Sequence, residues 1–246
     1  ESTTRNLGGF RAYPREIMQT KRSMSALLGV AILAVAAFAQ DGFNLKRVPK
    51  LGDVFKYNLS VTLDVQGQEF NVTATVQEKI IKVEDGKYTI ESSQSEMKLN
   101  GQDAPMEQTP STSTYSSLGR LLDSKSDQGG EDADRMSSLQ SFEVPDRALK
   151  VGDTWEVVLK AKEAKNPIGL KGTYKVEAQE KVGKWDALKV SFTIEETEGS
   201  TPAKATGFAW FSTSDQSMVK YEGQWANAPF PSLPPVNAKV TLLRTE

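Results

Sequence analysis

The sequence predicts an all-β fold: two related antiparallel meander units forming curved sheets, as half-barrels or a sandwich, with one or two short helices in the connection. Three observations predict it. Apolar and polar residues alternate over long runs, as in Phe55, Tyr57, Leu59, Val61, Leu63 and Val65 with Lys56, Asn58, Ser60, Thr62 and Asp64 between them. Successive side chains on a strand point to opposite faces, so this pattern seats one face on a core and leaves the other in water. Turn residues such as Glu84-Asp85-Gly86 and Asn100-Gly101 punctuate the runs, as hairpins require. Finally, one phrase occurs twice, as Lys50-Leu51-Gly52-Asp53-Val54-Phe55 and as Lys150-Val151-Gly152-Asp153-Thr154-Trp155. Each copy opens an alternating run, which suggests an internal repeat.

The correspondence extends beyond the phrase. Val72, Ala74, Val76 and Gln77-Glu78-Lys79 match Tyr174, Val176, Ala178 and Gln179-Glu180-Lys181, and Tyr88 and Ile90 match Leu188 and Val190. The Gly-Asp pair reads in two ways. Asp53 and Asp153 could be paired carboxylates of a hydrolase. They could also be turn residues, Gly supplying a positive φ and Asp accepting from nearby backbone amides. Turn chemistry is the favoured reading, because two equivalent turns do not bring two acids together.

Along the chain, residues 1–17 have no clear period and are expected to be an upstream extension outside the native protein. From Met18 the order is Lys21 and Arg22, an apolar stretch from Ala26 to Phe38, then Ala37-Phe38-Ala39. This is the layout of a secretory signal peptide over 18–39 with a small-residue cleavage site. The stretch falls short of the ~20 apolar residues of a spanning helix, so no membrane span is expected after signal cleavage. Residues 40–102 form the first β repeat, 103–146 a polar connection and 147–246 the second β repeat. Strands are expected at 54–65, 69–82 and 87–99, and again at 154–163, 170–182, 186–196, 203–212, 217–225 and 236–244.

The connection is rich in Ser, Thr, Gln, Asp and Gly, with Pro105, Pro110 and Pro145. Leu118, Leu121 and Leu122 could share one face of a short helix, and Met136, Leu139 and Phe142 one face of another. The acidic run from Asp123 to Asp134 fails the pattern of a calcium loop, since Lys125 and Gln128 stand where an acid and a glycine are needed. The stretch Ala228 to Pro235 holds four prolines and reads as a rigid crossover rather than a ladder strand.

Composition narrows the function. Removing residues 1–39 takes away five basic and two acidic side chains and moves the net charge from −2 to −5. That balance argues against nucleic acid as a partner. The 246 residues contain no cysteine and no histidine. Ser-His-Asp and Cys-His nucleophiles and the common zinc sites therefore cannot be built. No phosphate loop or dinucleotide fingerprint occurs, and no cofactor is expected. An exported chain without disulfides fits a bacterial periplasm or exterior.

Four tryptophans, Trp155, Trp185, Trp210 and Trp225, lie in the second half, together with Phe192, Phe208 and Phe211. They could be ordinary core plugs, or they could line an apolar ligand cavity. For the second reading the candidate ligand-binding residues are Trp155, Trp210, Phe208 and Tyr174. Phe208 and Trp210 share one strand face and Phe211 lies on the other.

The run Pro145-Asp146-Arg147-Ala148-Leu149-Lys150-Val151-Gly152-Asp153-Thr154-Trp155, with Gly172-Thr173-Tyr174-Lys175-Val176 and Ala187-Leu188-Lys189-Val190 after it, resembles exported bacterial β-rich proteins of unknown function with a "Pro…Val-Gly-Asp-x-Trp" signature. Some of these look like curved half-barrels, similar to periplasmic lipoprotein carriers at the level of fold only. The resemblance covers residues 45–225, most firmly 145–195. It implies export and β architecture, and it transfers no catalytic residue. The expectation is an exported, non-enzymatic protein that binds an apolar or amphipathic ligand on a concave sheet face, with a lipid-like ligand or an envelope protein as partner. The alternatives are an envelope or extracellular interaction module and, last, a carboxylate-dependent hydrolase.

Overall fold

The computed structural model describes residues 42–104, 110–125, 130–163, 166–230 and 233–246. The expected upstream extension and signal peptide lie outside the described residues, as does part of the acidic run. The elements in order are β1 (Val54–Val65), β2 (Gln68–Glu84), β3 (Lys87–Leu99), β4 (Gln102–Asp103), β5 (Ser111–Ser116), β6 (Leu121–Lys125), α1 (Glu131–Leu139), β7 (Thr154–Leu159), β8 (Leu170–Val182), β9 (Trp185–Glu196), β10 (Lys204–Ser212), β11 (Met218–Ala228) and β12 (Val236–Arg244).

All twelve strands belong to one open antiparallel sheet, in the order β6-β5-β3-β2-β1-β12-β11-β10-β9-β8-β7, with the short β4 on β3. The strands form one continuous sheet rather than the two sheets of a sandwich. Its two halves meet edge to edge where β1 pairs with β12 from Tyr57↔Arg244 to Asp64↔Asn237. The hairpin turns are set by the expected residues. Gln66-Gly67, Asp85-Gly86 and Asn100-Gly101 all carry positive φ, the conformation that matches the twist of the flanking strands.

The two copies of the phrase build the same turn. Gly52 and Gly152 sit at φ 88° and 92°. The Asp53 carboxylate accepts from the backbone N–H of Lys50 at 2.8 Å and that of Asp153 accepts from Lys150 at 3.0 Å. Gly52 and Asp53 bracket Ile80 through its carbonyl and N–H, and Gly152 and Asp153 bracket Val176 in the same way. Ile80 and Val176 are thus equivalent, which corrects the sequence correspondence: Lys79 stands opposite Val54 as Lys175 stands opposite Thr154. The shift arises because β1 runs twelve residues into a tight turn, whereas β7 stops after six.

The connection also differs from expectation. Leu121 and Leu122 lie in β6, not in a helix, and the Ser/Thr-rich 111–116 segment is its partner β5. β5 in turn pairs with β3, so polar residues extend the sheet edge. The second expected helix does form as α1, carrying Met136 and Leu139 into the core. Phe142 follows it and packs against Tyr174, Phe192, Phe211 and Tyr221 with ring centroids 4.9–6.2 Å apart. Glycine permits this packing. Gly223 and Gly172 have no side chain where the rings of Tyr221 and Tyr174 fold back over their own strands.

One ion pair anchors α1. Arg135 reaches Glu196 with two hydrogen bonds, Nε to Oε1 at 2.7 Å and Nη2 to Oε2 at 2.8 Å. The Glu196 side chain is 1% exposed, and Oε2 also accepts from Ala203 N–H. A buried carboxylate that loses its partner is costly, so Arg135→Met is expected to lower unfolding stability by roughly 3–5 kcal/mol. Urea denaturation checks this, and adding Glu196→Gln should restore part of the loss; an unchanged midpoint for Arg135→Met would show that the pair does not hold the helix.

Candidate functional site

Open sheets of more than about ten strands usually curl, split or flatten, and one face of this sheet borders a cavity of about 930 Å³. Register shows which side chains share the face that borders it. Tyr57, Leu59 and Val61 of β1 stand beside Val76, Ala74 and Val72 of β2. On the other side, Leu59 and Val61 stand beside Leu242 and Val240 of β12, and Leu242 stands beside Tyr221 of β11. Both halves of the chain therefore contribute to one wall. The opposite wall comes from α1 and its flanks, through Met136, Ser137, Gln140 and Phe142.

The lining changes character along the cavity. One part is apolar, with Val61, Val240, Met218, Trp225 and Phe230; Trp225 and Phe230 stack at 6.3 Å. The edge strands contribute hydroxyls and amides instead: Ser92 and Gln94 from β3, Ser111 and Ser113 from β5, and Ser124 from β6. Near Tyr57 and Tyr88 lie two ionisable side chains, Arg47 and Glu78, which also face the cavity. Burial pushes the Glu78 carboxyl up, and the nearby Arg47 opposes the shift only in part. For Arg47, burial works against the charge, but Tyr88 and Glu78 outweigh it and keep the guanidinium protonated.

Arg47 is placed by the segment that precedes β1. Phe43 and Leu149 exchange backbone hydrogen bonds, and Arg47 N–H donates to Ser117 O at 2.8 Å. Lys46 pairs with Asp146 at 3.1 Å. The segment is thus sewn between the two ends of the connection. No pattern in the sequence singles out Arg47, because its neighbours are brought in from β1, β3 and β5.

The four residues singled out from the sequence do not come together. Trp155 and Tyr174 share the concave face and stack at 5.0 Å. Trp155 Nε1 donates to Glu143 O at 2.9 Å, so this pair fastens the connection to β7 and β8. Neither residue is in the wall of the large cavity. Phe208 and Trp210 lie on the other face, since their strand neighbours Ala209 and Phe211 pair with the concave-facing Val190 and Leu188. Trp210 is buried there with Ala187 and Val219, and its Nε1–H donates to Glu180. Phe208 is partly exposed, with Lys189 Nζ 4.4 Å from its ring centre. Of the second-half aromatics that the sequence offered, Trp225 and Phe211 do line the cavity; Phe142, Tyr57, Tyr88, Tyr115, Tyr221 and Phe230 complete its aromatic lining.

Asp53 and Asp153 serve their separate turns. Their strands β1 and β7 are separated in the sheet by β12, β11, β10, β9 and β8. Asp153 also accepts from Arg147 Nη1 at 2.7 Å.

At the β10–β11 turn, beside the cavity residues Gln216 and Met218, a polar clip joins the turn to β12. Asp215 accepts from Ser217 Oγ–H at 2.7 Å and from Arg244 Nη1–H at 2.8 Å. Burial would raise the Asp215 carboxyl, but these bonds and that from the Ser217 backbone N–H outweigh it and hold it at about 2. A folded-state value below the unfolded one contributes stability above about pH 4, and that contribution is lost as pH falls towards 2. Because Asp215 is partly exposed, the effect is at most about 1 kcal/mol. Asp215→Asn is expected to lower the urea midpoint at pH 7 and to flatten its fall between pH 5 and pH 2.5 relative to the parent; parallel curves would remove Asp215 from the acid response.

Among the described residues, no helix is long and apolar enough to cross a membrane. No protein-family profile matches the chain, and no curated protein matches it. Among solved structures, three match most of the chain at low similarity. The first is a protein from Bacteroides fragilis NCTC 9343 predicted to be exported, with a YmcC-like fold; it is 10% identical, with a TM-score of 0.37, over 83% of this chain and all of its own. The second is a predicted lipoprotein from Parabacteroides distasonis ATCC 8503, at 11% identity and a TM-score of 0.36, over 84% of this chain and 99% of its own. The third is the hypothetical lipoprotein YmcC from Escherichia coli K12, at 12% identity and a TM-score of 0.33, over 81% of this chain and 91% of its own.

Proposed function

We propose that the chain is an exported bacterial protein, periplasmic or extracellular and non-enzymatic, that holds an apolar or amphipathic ligand in the concave-face cavity. The observation that carries this reading is the cavity itself. Its volume of about 930 Å³ falls at the upper end of small-molecule sites, and its lining passes from apolar to polar side chains. Such a graded lining suits a ligand with a tail and a polar end. The signal-like segment at 18–39 supports export. The absence of histidine and cysteine and the separate placement of Asp53 and Asp153 disfavour hydrolysis.

A second reading, an interaction module of the envelope or exterior, is favoured by the convex face. There Lys189 lies over both Phe208 and Trp210, and Lys220 lies over Trp210. A partly exposed aromatic held by cations is a contact of the kind found at protein interfaces.

Native mass spectrometry decides between them. The protein, exported by a bacterial host and purified without detergent, is expected to carry an adduct of lipid-like mass that organic extraction removes. Leu242→Trp, which projects an indole into the cavity, is expected to abolish the adduct and leave the fold intact. An apo mass that stays unchanged after incubation with a lipid extract would sink the ligand-holding reading and leave the convex face as the surface to test.

A further inference from the structure

Arg47 has an environment that protein groups do not complete. Its guanidinium carbon lies 4.9 Å from the centre of the Phe55 ring and 5.1 Å from that of Tyr88. The rings hold it by cation–π attraction and fix its orientation. The Tyr88 hydroxyl interacts with the guanidinium, yet two of its nitrogens, Nε and Nη2, are shut off from solvent without a well-formed hydrogen bond in the protein. Buried donors are almost always paired, because an unmade bond costs the full desolvation of the group. Glu78, the nearest carboxylate facing the same space, does not form an ion pair with Arg47 among the described residues. It stands on β2 opposite Phe55 and Ser92, held too far away to occupy those donors.

Arg47 stands at one end of the cavity. Beside it are Tyr57, Tyr88 and Tyr115, whose hydroxyls burial keeps protonated. Beyond Tyr57 the wall turns apolar through Leu59 and Val61 on β1 and Leu242 and Val240 on β12. The four steps from Tyr57 to Val61 cover about 13 Å along the strand. Leu242 packs against the core on both sides of this passage. A guanidinium with two adjacent free N–H donors matches a planar or tetrahedral oxyanion in a forked geometry.

From this we propose that Arg47 is the headgroup site of the cavity, and that it binds the carboxylate or phosphate of an anionic amphiphile whose chain runs along Leu59, Val61 and Val240. The inference rests on the ligand-holding reading and narrows it to one class of ligand. Glu78 acts as a competing anion. In the free protein it offsets the arginine charge at a distance, and an incoming headgroup replaces it by direct contact.

The test is a titration of the full-length exported chain, delipidated, with oleate, oleyl alcohol, oleoyl lysophosphatidate and inorganic phosphate, followed by calorimetry. Oleate or lysophosphatidate is expected to bind at least about tenfold more tightly than the alcohol, the difference expected of hydrogen bonds to a charged group. Which of the two binds more tightly assigns carboxylate or phosphate as the preferred headgroup. Arg47→Met is expected to erase the advantage while leaving the alcohol affinity unchanged. Arg47→Lys should recover part of it, and Glu78→Gln should strengthen oleate binding. If Arg47→Met does not fold, the wild-type comparison of acid and alcohol decides alone. Equal binding of acid and alcohol would overturn the headgroup site and leave the ligand-holding reading in place. Binding of phosphate without any amphiphile would overturn it in favour of a free-anion site. Failure of all four probes to bind would overturn both readings.

Discussion

The ladder between β1 and β12 is the constraint on which the rest of the structure depends. It joins the first long strand to the last, with eight residue pairs from Tyr57↔Arg244 to Asp64↔Asn237. Without it the chain would be two antiparallel ribbons with exposed edges. With it the edges move outward to β6 and β7, and the inner faces of both halves become one surface. The cavity exists because of that seam: Leu59 and Val61 come from one side of it and Leu242 and Val240 from the other. Pairing strands so far apart in sequence carries a high loop-closure cost, which the apolar contacts along the seam must offset.

The concave face is then closed by the middle of the chain rather than by a second sheet. Phe142 is a central contact of this cover, meeting four aromatic rings of the sheet. Around it lie fastenings of different chemistry. Arg135 and Glu196 form a nearly dry, forked ion pair. Arg120 bridges Glu143 and Glu163 at the surface. Trp155 hydrogen-bonds the backbone of Glu143. The large cavity lies between this cover and the β1–β3 part of the sheet.

That cavity is polar where a purely structural core would not be. Its β3–β5–β6 side presents serines and a glutamine, and its far end presents an arginine between two rings with a pair of donors that lack well-formed hydrogen bonds. Retaining a buried cation with unmade hydrogen bonds works against stability. The cost is understandable if the group serves a ligand. The cation–π contacts keep the side chain in one orientation without consuming its N–H groups, so a recognition geometry is present before anything binds.

The local structure is legible in the residues. Alternation from Phe55 to Val65 specified a two-faced strand, Asp85-Gly86 and Asn100-Gly101 specified tight hairpins, and the Gly-Asp phrase specified a turn that the chain builds twice. The 3-residue spacing of Met136 and Leu139 marked α1. These are signals of short range, written in backbone propensity and side-chain period. The tertiary structure alone decided the rest. Alternation says that a strand has two faces, not which face is concave, so Trp155 and Trp210 looked equivalent and fell on opposite sides. The Ser/Thr-rich 111–116 segment has no apolar period, and it became β5 because β3 offered an unpaired edge. The β1–β12 pairing and the site around Arg47 depend on residues brought together from far along the chain. Such neighbours are selected by the closing of the sheet and by the burial of its concave face, and neither leaves a mark in the residues taken one stretch at a time.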